Sequence, residues 1–126
     1  MPQLKLYYID FPYSQMRYDV GTVLINNDNI DIQSSEICRL LNSDTYDFSD
    51  YSTDITIIVD GEGFYKSGLP IWSITTLDGH HLELIGKLLF ARNIETEYSV
   101  DLGSIKTEDI FNFRIGLNIK LLGMKK

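Results

Sequence analysis

The stretch Ile55 to Pro70, ITIIVDGEGFYKSGLP, constrains the fold more than any other part of this chain. Ile55, Ile57, Ile58 and Val59 make a short β-branched run of the kind that forms a buried strand. The run enters Gly61-Glu62-Gly63 and leaves through Gly68-Leu69-Pro70, so a tight reversal with a fixed exit should follow it. The next apolar set, Ile71, Trp72 and Ile74, is expected to pair back on the strand as a hairpin.

The rest of the chain reads as short elements around that strand. Leu4, Leu6 and Tyr8 alternate with Lys5, Tyr7 and Ile9, which predicts an N-terminal strand ending at Asp10. Phe11-Pro12-Tyr13-Ser14 is a turn signal, because proline fixes its own φ and pushes its predecessor away from helix. Val20 to Ile25 is a second strand, closed by Asn26-Asn27-Asp28-Asn29. Ser34 and Ser35 can cap a helix carrying Ile37, Leu40 and Leu41, with Glu36 in its first turn and an end near Asn42. After the turn dipeptide Asp78-Gly79, the apolar set from Leu82 to Phe90 fits helix and strand about equally. Gly86 would cost a helix interior about 1 kcal/mol relative to alanine, and Ile85 to Phe90 repeats the pattern of Val20 to Ile25, which favours strand. Thr107 caps a second helix with Ile110, Phe111 and Phe113, and Ile115 to Leu122 alternates as a closing edge strand guarded by Lys120. The expected fold is α+β: one domain over residues 1–126, a mostly antiparallel sheet of five to seven strands, and two short helices.

With 44% hydrophobic residues the chain can bury a core. It has no apolar stretch near the roughly 20 residues of a membrane span, and MPQLKLYYID lacks a basic region followed by an apolar one. A soluble, cytoplasmic protein is expected. The lone Cys38 excludes an internal disulfide, fits a reducing compartment, and reads as a small buried residue on a helix face.

Eighteen acidic residues against eleven basic ones give a net charge of −7. A field of that sign repels phosphate and attracts basic protein surfaces, so direct nucleic-acid binding is disfavoured. The segment DTYDFSDYSTD concentrates the effect, with Asp44, Asp47, Asp50 and Asp54 around Tyr46, Phe48 and Tyr51 and no basic residue. If extended, its alternate positions would recur about every 6–7 Å, comparable with the phosphates of a nucleic acid. The plainer expectation is a solvated loop anchored by its aromatics. These seven residues, with Glu62, are the candidate partner-binding set.

Enzymatic chemistry finds little support. Asp78, His80, His81 and Glu83 are metal-ligand types within six positions, but adjacent histidines on a strand point to opposite faces. Neither a G-x-S-x-G motif nor a Cys-His arrangement occurs, and Gly61-Glu62-Gly63 places an acid where a phosphate loop would hold its anion. No catalytic residue, cofactor or metal is expected.

From about Asp28 to Phe113 the chain resembles an uncharacterised domain family of bacteriophages and conjugative elements with an E-G-x-x-x-G-L-P turn motif. The residues that carry the resemblance are Ile37, Leu40 and Leu41, the strand Ile55 to Val59, then Glu62, Gly63, Gly68, Leu69 and Pro70. Gly86, Leu88 and Phe90 would match the second strand motif and Leu102 to Ile110 the approach to the closing helix. An asparagine-arginine pair usually follows the proline; Ile71-Trp72 stands here instead. The resemblance implies a mobile-element setting and no known reaction or cofactor. Together with the charge, it leads us to expect an accessory protein that binds a basic host protein, such as a restriction or CRISPR nuclease, and inhibits it. The alternatives are a structural or regulatory partner within the mobile element, with room for a homodimer through the C-terminal strand, and a metal- or ligand-binding domain centred on His80 and His81.

Overall fold

The computed structural model describes residues 2–126. In chain order the elements are β1 (Gln3–Asp10), β2 (Asp19–Asn26), α1 (Ile30–Leu41), β3 (Tyr46–Asp50), β4 (Ile55–Asp60), a 3-10 turn (Gly63–Tyr65), β5 (Pro70–Thr75), β6 (His81–Ile85), β7 (Leu88–Glu95), β8 (Val100–Gly103), α2 (Thr107–Gly116) and β9 (Asn118–Met124). One antiparallel sheet has the order β2-β1-β7-β4-β3, with β8 also paired to β7. The second sheet has the order β6-β5-β9. The mostly antiparallel α+β architecture with two helices is therefore present, but with nine strands in two sheets rather than five to seven in one.

The six residues of β4 are all buried because neighbours project into different cores. Ile57 lies between the two sheets with Trp72, Ile74, Leu88, Phe90 and Phe113, whereas Ile58 lies under α1 with Leu4, Leu6, Ile25, Ile37 and Leu89. Both edges of β4 are occupied, by β3 and β7, so the expected hairpin between Ile55–Asp60 and Ile71–Ile74 does not form. The chain instead crosses to the other sheet, where β5 pairs with β6 and β9. Pro70, which has no N–H to give, stands as the first residue of β5, a position where proline is tolerated.

The stretch Leu82 to Phe90 is extended, as expected, but it is two strands. Gly86 breaks it at φ 98°, and the chain passes there from the three-stranded to the six-stranded sheet. The indole Nε1 of Trp72 donates to the Gly86 carbonyl at 2.8 Å and fixes the crossing. An added Cβ at Gly86 would meet nothing closer than 3.6 Å, so an alanine fits in space and suffers only from the backbone angle. Gly86→Ala should therefore destabilise the protein by about 1–2 kcal/mol, seen as a lower urea midpoint with an unchanged slope.

Both helices start elsewhere than the sequence suggests. Asn29, not Ser34 or Ser35, caps α1: its side chain accepts from the Ile32 N–H at 2.9 Å. The asparagine cluster that ends β2 thus also begins the helix, which stops at Asn42, φ 51°, as anticipated. Cys38 lies on this helix and is half-buried. Lys106, not Thr107, occupies the cap position of α2, where its N–H donates to Asp109 Oδ2 at 2.9 Å. α2 continues to Gly116, so Ile115 is helical and the closing strand begins only at Asn118.

Candidate functional site

The acidic segment is not a loop throughout, although its two ends, residues 44–45 and 51–54, are. Tyr46–Asp50 forms β3, the edge strand of the large sheet, paired on one side with β4 so that Tyr46 faces Asp60, Phe48 faces Ile58 and Asp50 faces Thr56. Side chains alternate along a strand. Tyr46, Phe48 and Asp50 consequently share the α1 side with Ile58, and Asp47 and Ser49 share the other side with Ile57 and Val59. Because Asp47 and Asp50 are three positions apart, they fall on opposite faces, and no single row of carboxylates like a phosphate backbone is built.

Asp44, Asp47, Asp50 and Asp54 are all exposed, and among the described residues none forms an ion pair. Phe48 is 55% exposed. Tyr46 is half-buried, its hydroxyl 2.7 Å from that of Ser34 on α1. Tyr51 is a correction: it is buried, with its ring against Phe90 and Phe113 at centroid distances of 6.5 and 6.1 Å, and belongs to the core. Its polar neighbours hid that role, because the chain turns inward immediately after β3. Glu62 and Asp44 lie at the Tyr46 end of β3, whereas Asp50 and Asp54 lie at the other end, about 13 Å away along the strand. The structure therefore spreads the candidate set along the whole edge instead of gathering it.

Beside this edge the sheet face opens. α1 covers only part of the face, and beyond its first turn lies a groove of about 940 Å³ whose lining includes Ile30 and Gln33 of α1, Phe48 and Asp50 of β3, Thr56 of β4, Asn93 and Glu95 of β7, and Val100 and Asp101 of β8. Asp50, Glu95 and Asp101 are its only charged residues, so the groove carries a negative field beside exposed Ile30, Phe48 and Val100. Phe48 and Asp50 were legible from the sequence. The far wall was not, because β8 is a four-residue strand whose only pairing is with β7.

The glycine-rich turn serves structure. The buried Asp60 carboxylate accepts from Ser43 Oγ at 2.6 Å, the Glu62 N–H at 2.7 Å and Lys66 Nζ at 2.7 Å, while Lys66 also donates to the Asn42 carbonyl at 3.0 Å. Burial pushes this carboxyl up, but those hydrogen bonds and the Lys66 charge outweigh it and hold the group below the usual carboxylate range. The turn thus clamps the end of α1 to the end of β4. Four residues separate Glu62-Gly63 from Gly68-Leu69-Pro70, one more than in the motif it resembles.

The histidines do not converge. His80 Nδ1 is 3.0 Å from Asp78 Oδ2, whereas His81 Nδ1 is 3.1 Å from Thr75 Oγ1 on the neighbouring strand. The Thr76 hydroxyl first, and then His80, draw the Asp78 carboxyl down to about 2. Among the described residues no three His, Cys, Asp or Glu side chains stand where they could hold a metal ion, and no helix is long and apolar enough to cross a membrane. No protein-family model, curated protein or solved structure matches this chain.

Proposed function

We propose that this protein acts by binding another protein, as a small acidic accessory factor of a bacteriophage or mobile element that inhibits a basic host-defence nuclease of the restriction or CRISPR type in the bacterial cytoplasm. The observation that carries this reading is the β3 edge: Asp47 and Asp50, exposed and in no ion pair among the described residues, stand on the strand that ends the sheet, flanked by exposed Asp44 and Asp54 and beside the half-exposed ring of Phe48. Carboxylates of this kind steer a basic partner toward the edge, and a ring that loses water on contact holds it there. The mobile-element setting rests on the resemblance of the glycine-leucine-proline segment, and the nuclease target on the sign of the charge.

Replacing Asp44, Asp47, Asp50 and Asp54 by serine tests it, because among the described residues none of the four carboxylates forms an ion pair. In bacteria carrying a restriction or CRISPR system, expression of the wild-type protein should restore plaques of a targeted phage. The four-serine variant should unfold at the same temperature yet fail to restore them. Equal restoration by both proteins contradicts the role of the edge, and no restoration by the wild type against either kind of system contradicts the inhibitor.

A further inference from the structure

We infer that β3 takes up an extended segment of its partner as an added strand, and that this segment carries two basic residues three positions apart with an apolar residue between them, in the order basic-x-apolar-basic. The inference deepens the protein-binding reading above and rests on it.

Three observations carry it. β3 ends the large sheet, so the backbone groups on its outer side have no strand to pair with. Asp47 and Asp50 project from opposite faces of that strand. A partner lying flat on either face of the sheet reaches one of them and leaves the other in water, whereas a strand laid along the edge meets both. Finally, β3 bears no lysine, arginine or proline, and the adjoining groove bears no cation either, so the charge at this edge is complementary to a basic segment alone.

Cross-strand neighbours define the pattern. Residues of the added strand opposite Asp50, Ser49, Phe48 and Asp47 would be, in turn, basic, unrestricted, apolar and basic. The first and third of these share the groove side, where the apolar residue packs on the exposed ring of Phe48 at the rim of the groove. The fourth faces the opposite side and meets Asp47. A second copy of this chain is disfavoured as the occupant, since its β3 would bring two more carboxylates and no base to the shared edge. Of the other strands that end a sheet, β9 carries Lys120 and repels a cationic strand, whereas β2 and β6 offer a single carboxylate each, Asp19 and Glu83.

The probe is a short fluorescein-labelled peptide containing arginine-threonine-leucine-arginine between threonines, compared with one of identical composition whose arginines are two positions apart and so share a face. Fluorescence anisotropy should show the first peptide binding roughly tenfold more tightly than the second. Asp47→Asn combined with Asp50→Asn should erase that difference. Hydrogen exchange should show amides within residues 46–50 gaining protection when the first peptide binds, which a diffuse electrostatic contact would not produce. Equal affinity for the two peptides, or binding without protection in β3, overturns the inference. If both peptides bind equally but the four-serine variant binds neither, strand addition fails while the acidic edge remains the binding surface. If cationic peptides bind the four-serine variant as well as they bind the wild type, both readings fail.

Discussion

Replacing Phe90 by alanine is expected to remove about 3–5 kcal/mol of stability. Phe90 is fully buried on β7, the strand that joins the β1 and β4 sides of the large sheet. Its ring is the meeting point of the inter-sheet core, edge-on to Tyr7 at 5.8 Å and tilted against Phe113 of α2 at 5.0 Å. Tyr51 completes the group at 6.5 Å. Truncation would leave an aromatic-sized hole that these rigid neighbours cannot close. A domain of this size is stable by only about 5–15 kcal/mol in total, so the variant should sit close to its unfolding threshold. Urea denaturation measures the loss directly, and a change below about 1 kcal/mol would show that the two sheets do not depend on this ring.

Asp109→Ala should be nearly as damaging, at about 3 kcal/mol. Asp109, buried in the first turn of α2, receives two hydrogen bonds from Arg92 of β7, at 2.7 Å from Nε and 2.7 Å from Nη2, and a third from the Lys106 N–H at 2.9 Å. The pair ties the helix to the sheet. Removing the carboxylate leaves the largely buried guanidinium with the exposed Glu108, 3.8 Å away, and the more distant charge of Asp54. Replacing Arg92 by methionine as well should recover part of the loss, because an unpaired buried charge costs more than an apolar substitute.

The same carboxylate sets a pH dependence. Burial pushes the Asp109 carboxyl up, but the Arg92 hydrogen bonds, the Lys106 N–H and the neighbouring positive charges outweigh it and hold the group low. Asp60 is held low by its own hydrogen bonds in the same way. For a group whose folded value lies below its unfolded one, the contribution to stability is complete above the unfolded value, near 3.9 for aspartate. It disappears as the pH falls through the lower folded value. Wild-type unfolding free energy should therefore drop as the pH falls below about 4. Asp109→Ala, less stable at neutral pH, should show the shallower drop, as urea titrations across that range would reveal.

What could be read from the sequence was whatever local spacing encodes. The alternation in β1, the β-branched run of β4, the turn at Asp78-Gly79 and the end of the first helix near Asn42 all appear where the residues suggest. Pairing partners were not encoded locally. Ile71–Ile74 looks as suited to pairing with β4 as with β6 and β9, and the choice is made by β7, which occupies the second edge of β4 from farther along the chain, pairing Ile55 with Arg92 and Ile58 with Leu89. β3 is extended because β4 offers it an edge, which outweighs the turn preference of its aspartates. The charge of the candidate site was legible. Its division between two faces required the register, and its groove required β8.

We propose that the carboxylates on and beside the β3 edge hold a basic protein partner. The direct measurement is the dissociation constant, as a function of salt, for the nuclease of a defence system that the protein inhibits, with the wild-type protein and with the variant carrying serine at positions 44, 47, 50 and 54. The wild-type affinity should fall steeply as salt rises, and the variant should bind far more weakly with little dependence on salt. The same affinity and the same salt dependence for both proteins would contradict it.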